Sequence, residues 1–162
     1  MKSLVTRSGQ KRTAEGMVLA AGVLLLTIVT VNQVFFSGVM ALSLFIGLFA
    51  GICVSAAAAR RAVQQGRDGQ ARMVRRLELC LVITMAGLSL VCRPVYTTGQ
   101  AIALVERSGF YSQVQLDGNF PTVLAEPAPG PLVGRVYRLT GCQGEEAVIL
   151  YFDPVTGEFC LQ

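Results

Sequence analysis

The chain has 162 residues, of which 52% are hydrophobic and only 15% charged, and its mean hydropathy is +0.54. A soluble domain carries about 25% charged residues, so this composition excludes an ordinary water-soluble globule. The net charge of +4 does not point to nucleic acid, because the basic residues flank apolar runs and the arginine-rich stretch 60–76 has no aromatic side chain to stack on a base.

Residues 1–16 carry Lys2, Arg7, Lys11 and Arg12 against Glu15, a net +3. The uncharged run Met17–Phe36 follows and spans 20 residues. At about 1.5 Å per residue that is the length of helix that crosses a hydrocarbon core of roughly 30 Å. It exceeds the roughly 7–15 apolar residues of a signal peptide, and no clean small-x-small cleavage site follows it. Asn32 and Gln33 lie near its end, where the membrane interface is expected to hydrate them. Ser37-Gly38 breaks the pattern, and a second uncharged run, Val39–Ala59, covers 21 residues. Residues 17–59 therefore read as a transmembrane helical hairpin, since within lipid only a helix or a closed barrel satisfies its own backbone.

Residues 60–76 hold Arg60, Arg61, Arg67, Arg72, Arg75 and Arg76 against Asp68, a net +5. Gly66 and Gly69 argue against one continuous helix, so the segment reads as a basic loop that fixes topology or meets anionic lipid headgroups. The third apolar run, Leu79–Cys92, is only 14 residues long and ends at Arg93-Pro94. A third transmembrane helix over 77–96 places Glu78 and Arg93 near opposite interfaces, where long side chains reach water. Extending it to Val105 would put Arg93 mid-bilayer, at a cost of about 2.5–3.5 kcal/mol or more. The positive-inside rule then sets both basic segments in the cytoplasm. Two helices separate them, which is what one shared side requires, and residues 97–162 fall outside.

That outer segment opens with a short helix over Thr97–Arg107, stopped by Gly109. Asp117-Gly118-Asn119 is a turn signal, and residues 126–131 form a proline-rich loop. Strands are expected over Val133–Thr140, Ala147–Phe152 and Glu158–Leu161, with a turn at Asp153–Gly157. The 53 residues from 110 to 162 are near the lower limit for a self-sufficient core, so this part needs a staple, a partner or the membrane surface. The expected fold is thus membrane α-helical, with three transmembrane helices and a small C-terminal α+β or all-β extracytoplasmic domain.

Cys142 and Cys160 are the cysteines of the outer segment and form the disulfide candidate; closure would contribute on the order of 3 kcal/mol in the chain-entropy model. A flat three-stranded meander would hold them too far apart, so the pairing requires either that residues 141–146 fold back or that the strand order differs. Cys92 is an alternative partner, while Cys53 and Cys80 read as apolar filler inside helices. Ser43, Gly47, Gly51 and Ser55 recur every four residues and include a GxxxG. Such a stripe lets helix backbones approach closely, either between subunits or within the chain. The chain has no histidine, which removes the commonest general base and metal ligand. No catalytic constellation, metal site or cofactor is expected. The functional expectation is a non-enzymatic accessory or structural subunit of a cell-envelope assembly in a bacterial inner membrane. Its partners would be the lipid bilayer and other membrane subunits or a second copy. The alternative is an accessory subunit of a small-solute or ion transport complex, acting through Asn32, Gln33 and Arg93.

Overall fold

The computed structural model describes residues 2–161, with side chains from Glu15 to Leu161; the side chains of Lys2, Arg7, Lys11 and Arg12 lie outside the described ones. In chain order, four helices come before a C-terminal antiparallel sheet among the described residues: α1 (Lys2–Phe36), α2 (Ser43–Gln64), α3 (Asp68–Val91), α4 (Thr98–Arg107), then β1 (Ser112–Leu116), β2 (Thr122–Leu124), β3 (Arg135–Gln143), β4 (Glu146–Phe152) and β5 (Phe159–Leu161). Two compact units divide the chain, one holding residues 1–28 and 42–91, the other residues 29–41 and 92–162.

In the first unit α2 and α3 pack along a seam with a seven-residue period. Phe45, Ile52 and Ala59 recur on α2, and Ala71, Glu78 and Met85 recur on α3, all buried. That period keeps one stripe of each helix facing its partner. Ala56, Ala59, Ala62 and Ala71 line the end nearest the turn, and such small side chains let the two backbones come close. The turn itself is a Schellman motif. The Arg67 N–H donates to the Ala62 carbonyl at 2.9 Å and the Gly66 N–H to the Val63 carbonyl at 3.1 Å. Gly66 sits at φ +73, a conformation that costs an L side chain roughly 1–2 kcal/mol. The basic segment 60–76 is therefore not a loop. All but the short turn Gln65–Arg67 is helical, because one left-handed glycine reverses the chain and Gly69 does not interrupt α3.

Among the described residues, two helical segments are long and apolar enough to cross a membrane, Glu15–Phe36 and Ser43–Gln64. The third differs from its expected bounds of 77–96. α3 begins at Asp68 and ends at Val91, and Arg75, Arg76 and Glu78 interrupt its apolar stretch.

The second unit is built on β3, which pairs antiparallel with β4 from Tyr137↔Phe152 to Gln143↔Glu146. β1 and β2 share the other edge of β3, and β5 pairs with β4. A two-residue loop joins β3 to β4 with Gly144 at φ +66, the pattern of a type II′ hairpin. Alternation along β3 buries Tyr137, Leu139 and Gly141 on one face, where they meet Leu150 and Phe152 of β4 and Ala101 and Val105 of α4. Thr97 caps α4 in a capping box with Gln100. Asp153 organises the β4–β5 turn by accepting from the Val155 N–H at 2.7 Å and the Thr156 N–H at 3.2 Å.

The small sheet does have a staple, and it comes from the N-terminal half of the chain. Phe36 and Val39 belong to its core. Met40 bridges to Val133, and the Ala41 N–H donates to the Leu132 carbonyl at 2.8 Å. The link between α1 and α2 is thus part of the sheet's own unit.

Candidate functional site

Among the described residues, the arginines of the first unit gather at the turn end of the α2–α3 hairpin. Arg60, Arg61, Arg67, Arg72 and Arg76 are exposed there and Arg75 is half-buried. Arg60 meets Glu15 of α1 at 3.7 Å, with both side chains about half exposed, a contact worth about 0–1 kcal/mol in water.

Glu78 departs from its expected place. It does not reach water near an interface; it is 0% exposed. The reason is its register, one heptad from Ala71 and one from Met85 on the seam that faces α2. Neither of its carboxylate oxygens has a hydrogen-bond partner among the described residues. Arg75 and Arg60 are the charges that act on it. Ala71, Glu78 and Met85 share a seven-residue spacing, which shows itself as a seam only once α3 packs against α2.

A groove of about 630 Å³ runs beside the seam. Val54, Ala57, Ala58 and Arg61 of α2 form one wall, and Gln70 and Met73 of α3 contribute to the other. The α2 residues follow the three- and four-residue spacing of one helix face. Ala57 and Ala58 leave that face open because they carry only a methyl group.

The small-residue stripe is split. Gly51 lies against α3, where an added Cβ would sit 3.7 Å from Leu81 Cδ1. Ser55 is buried, and its hydroxyl donates to the Ile52 carbonyl at 2.9 Å. Ser43 is exposed, and a Cβ at Gly47 would meet nothing within 4 Å.

Asn32 is also placed differently from expectation. It is 1% exposed, held against the Met40 main chain instead of hydrated at a surface. Gln33 and Arg93 are exposed.

Cys142 and Cys160 do not form the expected disulfide, and all five cysteines are free thiols. Cys142 faces Ala147 across the β3–β4 ladder, and Cys160 faces Tyr151 from the other side of β4. Four residues along β4 correspond to about 13 Å, against the roughly 4.4–6.8 Å between Cα atoms that a disulfide requires. Residues 141–143 and 146 stay in the ladder with only Gly144 and Glu145 in the turn, so the segment does not fold back toward Cys160. Cys92 is half-buried and unbonded.

In the sheet, Arg138 clamps the loop between β1 and β2. Its guanidinium lies 3.2 Å from the Asp117 carboxylate and 5.8 Å from the Phe120 ring centroid, within cation–π range. The N–H groups of Asn119 and Phe120 donate to Asp117 Oδ1 at 2.9 and 3.2 Å. These two donors, more than Arg138, hold the Asp117 carboxyl below the usual carboxylate range. Burial pushes the Tyr137 phenol well above its ordinary value, and its hydroxyl donates to the Tyr96 carbonyl at 3.0 Å.

Models of known families, curated proteins and solved structures give no match to this chain. Its own residues are the guide to function. Among the described residues no three His, Cys, Asp or Glu side chains gather as a metal site. The geometry favours packing and charge-based placement: a close helical hairpin, one enclosed carboxylate, and an arginine-rich turn beside an open groove.

Proposed function

We propose that this protein is a non-catalytic integral membrane subunit of a cell-envelope assembly, as in the bacterial inner membrane. Three helices anchor it and the sheet lies on the outer face. One observation carries the reading: the helices of the first unit leave many large apolar side chains exposed, while alanines share the buried side with Ile28, Phe45, Ile52 and Met85. Leu26 on α1 is 67% exposed, Val54 on α2 69% and Ile83 on α3 61%, while Ala21, Ala56, Ala59 and Ala71 are buried. Water disfavours that arrangement by roughly 25 cal/mol per Å² of apolar surface; in lipid it costs nothing, and small residues at contacts are what membrane helices use.

The path of the chain supports a third crossing. Val29–Ala41 and the residues from Cys92 onward belong to one unit. A chain that crosses the bilayer on α2 must cross back on α3 to rejoin it. The 24 residues of α3 measure about 36 Å, enough for a core of roughly 30 Å. Glu78 is turned inward to the seam, and Arg72, Arg75 and Arg76 lie where long side chains reach the interface. The positive-inside rule then assigns the α2–α3 turn to the cytoplasm.

A reporter active only in the cytoplasm tests this. Inserted after Gly66 it should give signal, and fused after Gln162 it should be silent. Mild-detergent purification should bring partner subunits along. Release of the protein by alkaline carbonate without detergent would overturn the reading.

Glu78 favours a second reading, an accessory subunit of an ion or small-solute transporter, because an enclosed carboxylate within a membrane helix is a common feature of ion pathways. Glu78→Gln should then abolish flux through the purified assembly while the assembly stays intact. Unchanged flux leaves Glu78 a packing residue.

A further inference from the structure

We propose that the groove beside the α2–α3 seam is a binding site for one anionic phospholipid of the cytoplasmic leaflet. This rests on the membrane reading above and adds a defined ligand to it. The groove has a polar end and an apolar end. Arg61, Gln65 and Gln70 stand at the turn, and Val54, Ala57 and Met73 line the part toward the middle of the helices. Arg61 supplies a fixed positive charge with several donors, the side chain best matched to a phosphate diester. The two glutamine amides can donate to the remaining phosphate or glycerol oxygens.

The dimensions agree. From Gln65 back to Val54 is eleven residues, about 16 Å along a helix. Half of a hydrocarbon core of roughly 30 Å is about 15 Å; the whole groove is about that long, and its apolar section from Arg61 to Val54, seven residues or about 10 Å, covers about two thirds of one leaflet. The volume of about 630 Å³ falls in the range of roughly 300–1,000 Å³ typical of ligand sites. Met73, 76% exposed, is a flexible side chain suited to packing against a mobile acyl chain. The charge is complementary as well. Residues 60–76 carry a net +5, which draws anionic headgroups to this end of the hairpin in preference to zwitterionic ones. Arg61 is the arginine in the groove itself; Arg67 and Arg72 stand outside its lining.

The chain has no tryptophan, so a single introduced indole reports one location. Met73→Trp, in the full-length protein, is reconstituted into nanodiscs of mixed phosphatidylglycerol and phosphatidylcholine, with bromine on the acyl chains of one lipid or the other. Leu26→Trp, on the outward face of α1, serves as the reference. The reference should be quenched by either brominated lipid in proportion to its abundance. The Met73 reporter should be quenched preferentially by brominated phosphatidylglycerol. Arg61→Gln should cut that preference by about tenfold or more, as expected for losing a charge-assisted hydrogen bond to a phosphate, and Arg72→Gln, which removes only a surface charge, by no more than about fivefold. Quenching of the Leu26 reporter with no preference at Met73 overturns the site while the membrane reading stands. Equal losses from Arg61→Gln and Arg72→Gln also overturn it, since that pattern means diffuse attraction. A Leu26 reporter that neither lipid quenches sinks the membrane reading, and the site with it.

Discussion

Asn32 and Met40 are joined by two hydrogen bonds through a single side-chain amide. The Met40 N–H donates to Asn32 Oδ1 at 3.1 Å, and Asn32 Nδ2 donates to the Met40 carbonyl at 3.4 Å. Both residues are buried. One side chain near the end of an apolar helix thus satisfies the main chain of the segment that bridges to Val133. Asn32→Leu would leave a buried donor and acceptor without partners, at about 1–3 kcal/mol. The thermal midpoint of the detergent-solubilised protein should fall accordingly, while Gln33→Leu, at an exposed position, should change it little. An Asn32→Leu protein as stable as the parent would show that the clamp contributes nothing.

Gly66 and Gly69 lie three residues apart and should respond in opposite directions to the same change. Gly66 holds a left-handed conformation, so Gly66→Ala should cost roughly 1 kcal/mol or more. Gly69 is inside α3, and a Cβ there meets no atom within 4 Å. Gly69→Ala should therefore stabilise the hairpin by about 0.5–1 kcal/mol. Denaturation of the two variants side by side decides this, and destabilisation by Gly69→Ala would contradict the helix start at Asp68.

Asp117 sets an acid limit on the sheet domain. Its carboxyl is held below its ordinary value of 3.8 by backbone donors and Arg138. A depressed folded-state value means the charged form stabilises the fold above the ordinary value, and that this contribution disappears as pH falls through the folded-state value. Asp117→Asn keeps an acceptor for the two N–H groups but loses the charge. It should lower the midpoint near neutral pH, and the gap to the parent should close as pH drops below about 3.8. A gap that stayed constant with pH would show that the charge has no role.

Cys142 and Cys160 should remain thiols even on an oxidising face. Maleimide should modify the exposed Cys160 readily and the half-buried Cys142 more slowly. The double serine variant should keep its stability to within about 0.5 kcal/mol. A cross-linked peptide containing both cysteines, detected by mass spectrometry without reductant, would refute the strand register.

The order of elements was largely legible from residue type and spacing. Two long uncharged runs, the Thr97–Arg107 helix and the Asp153–Gly157 turn are local features. Each depends on a few neighbouring residues whose preferences act over one or two turns of chain. The ladder Ala147–Phe152 was legible for the same reason, through β-branched and aromatic side chains.

What only the tertiary structure decided concerns side chains whose partners lie far away in sequence. The composition fixes apolar helices and a polar tail, because burial and hydrogen bonding act on every residue wherever it lies. It does not say which face of α3 meets α2, so Glu78 read as a snorkelling residue until packing set it on the seam. Nor does it say that Phe36 and Val39 complete a core whose other members begin at Ala101. The distance between Cys142 and Cys160 likewise follows from strand register, which depends on the pairing of whole strands and not on either cysteine.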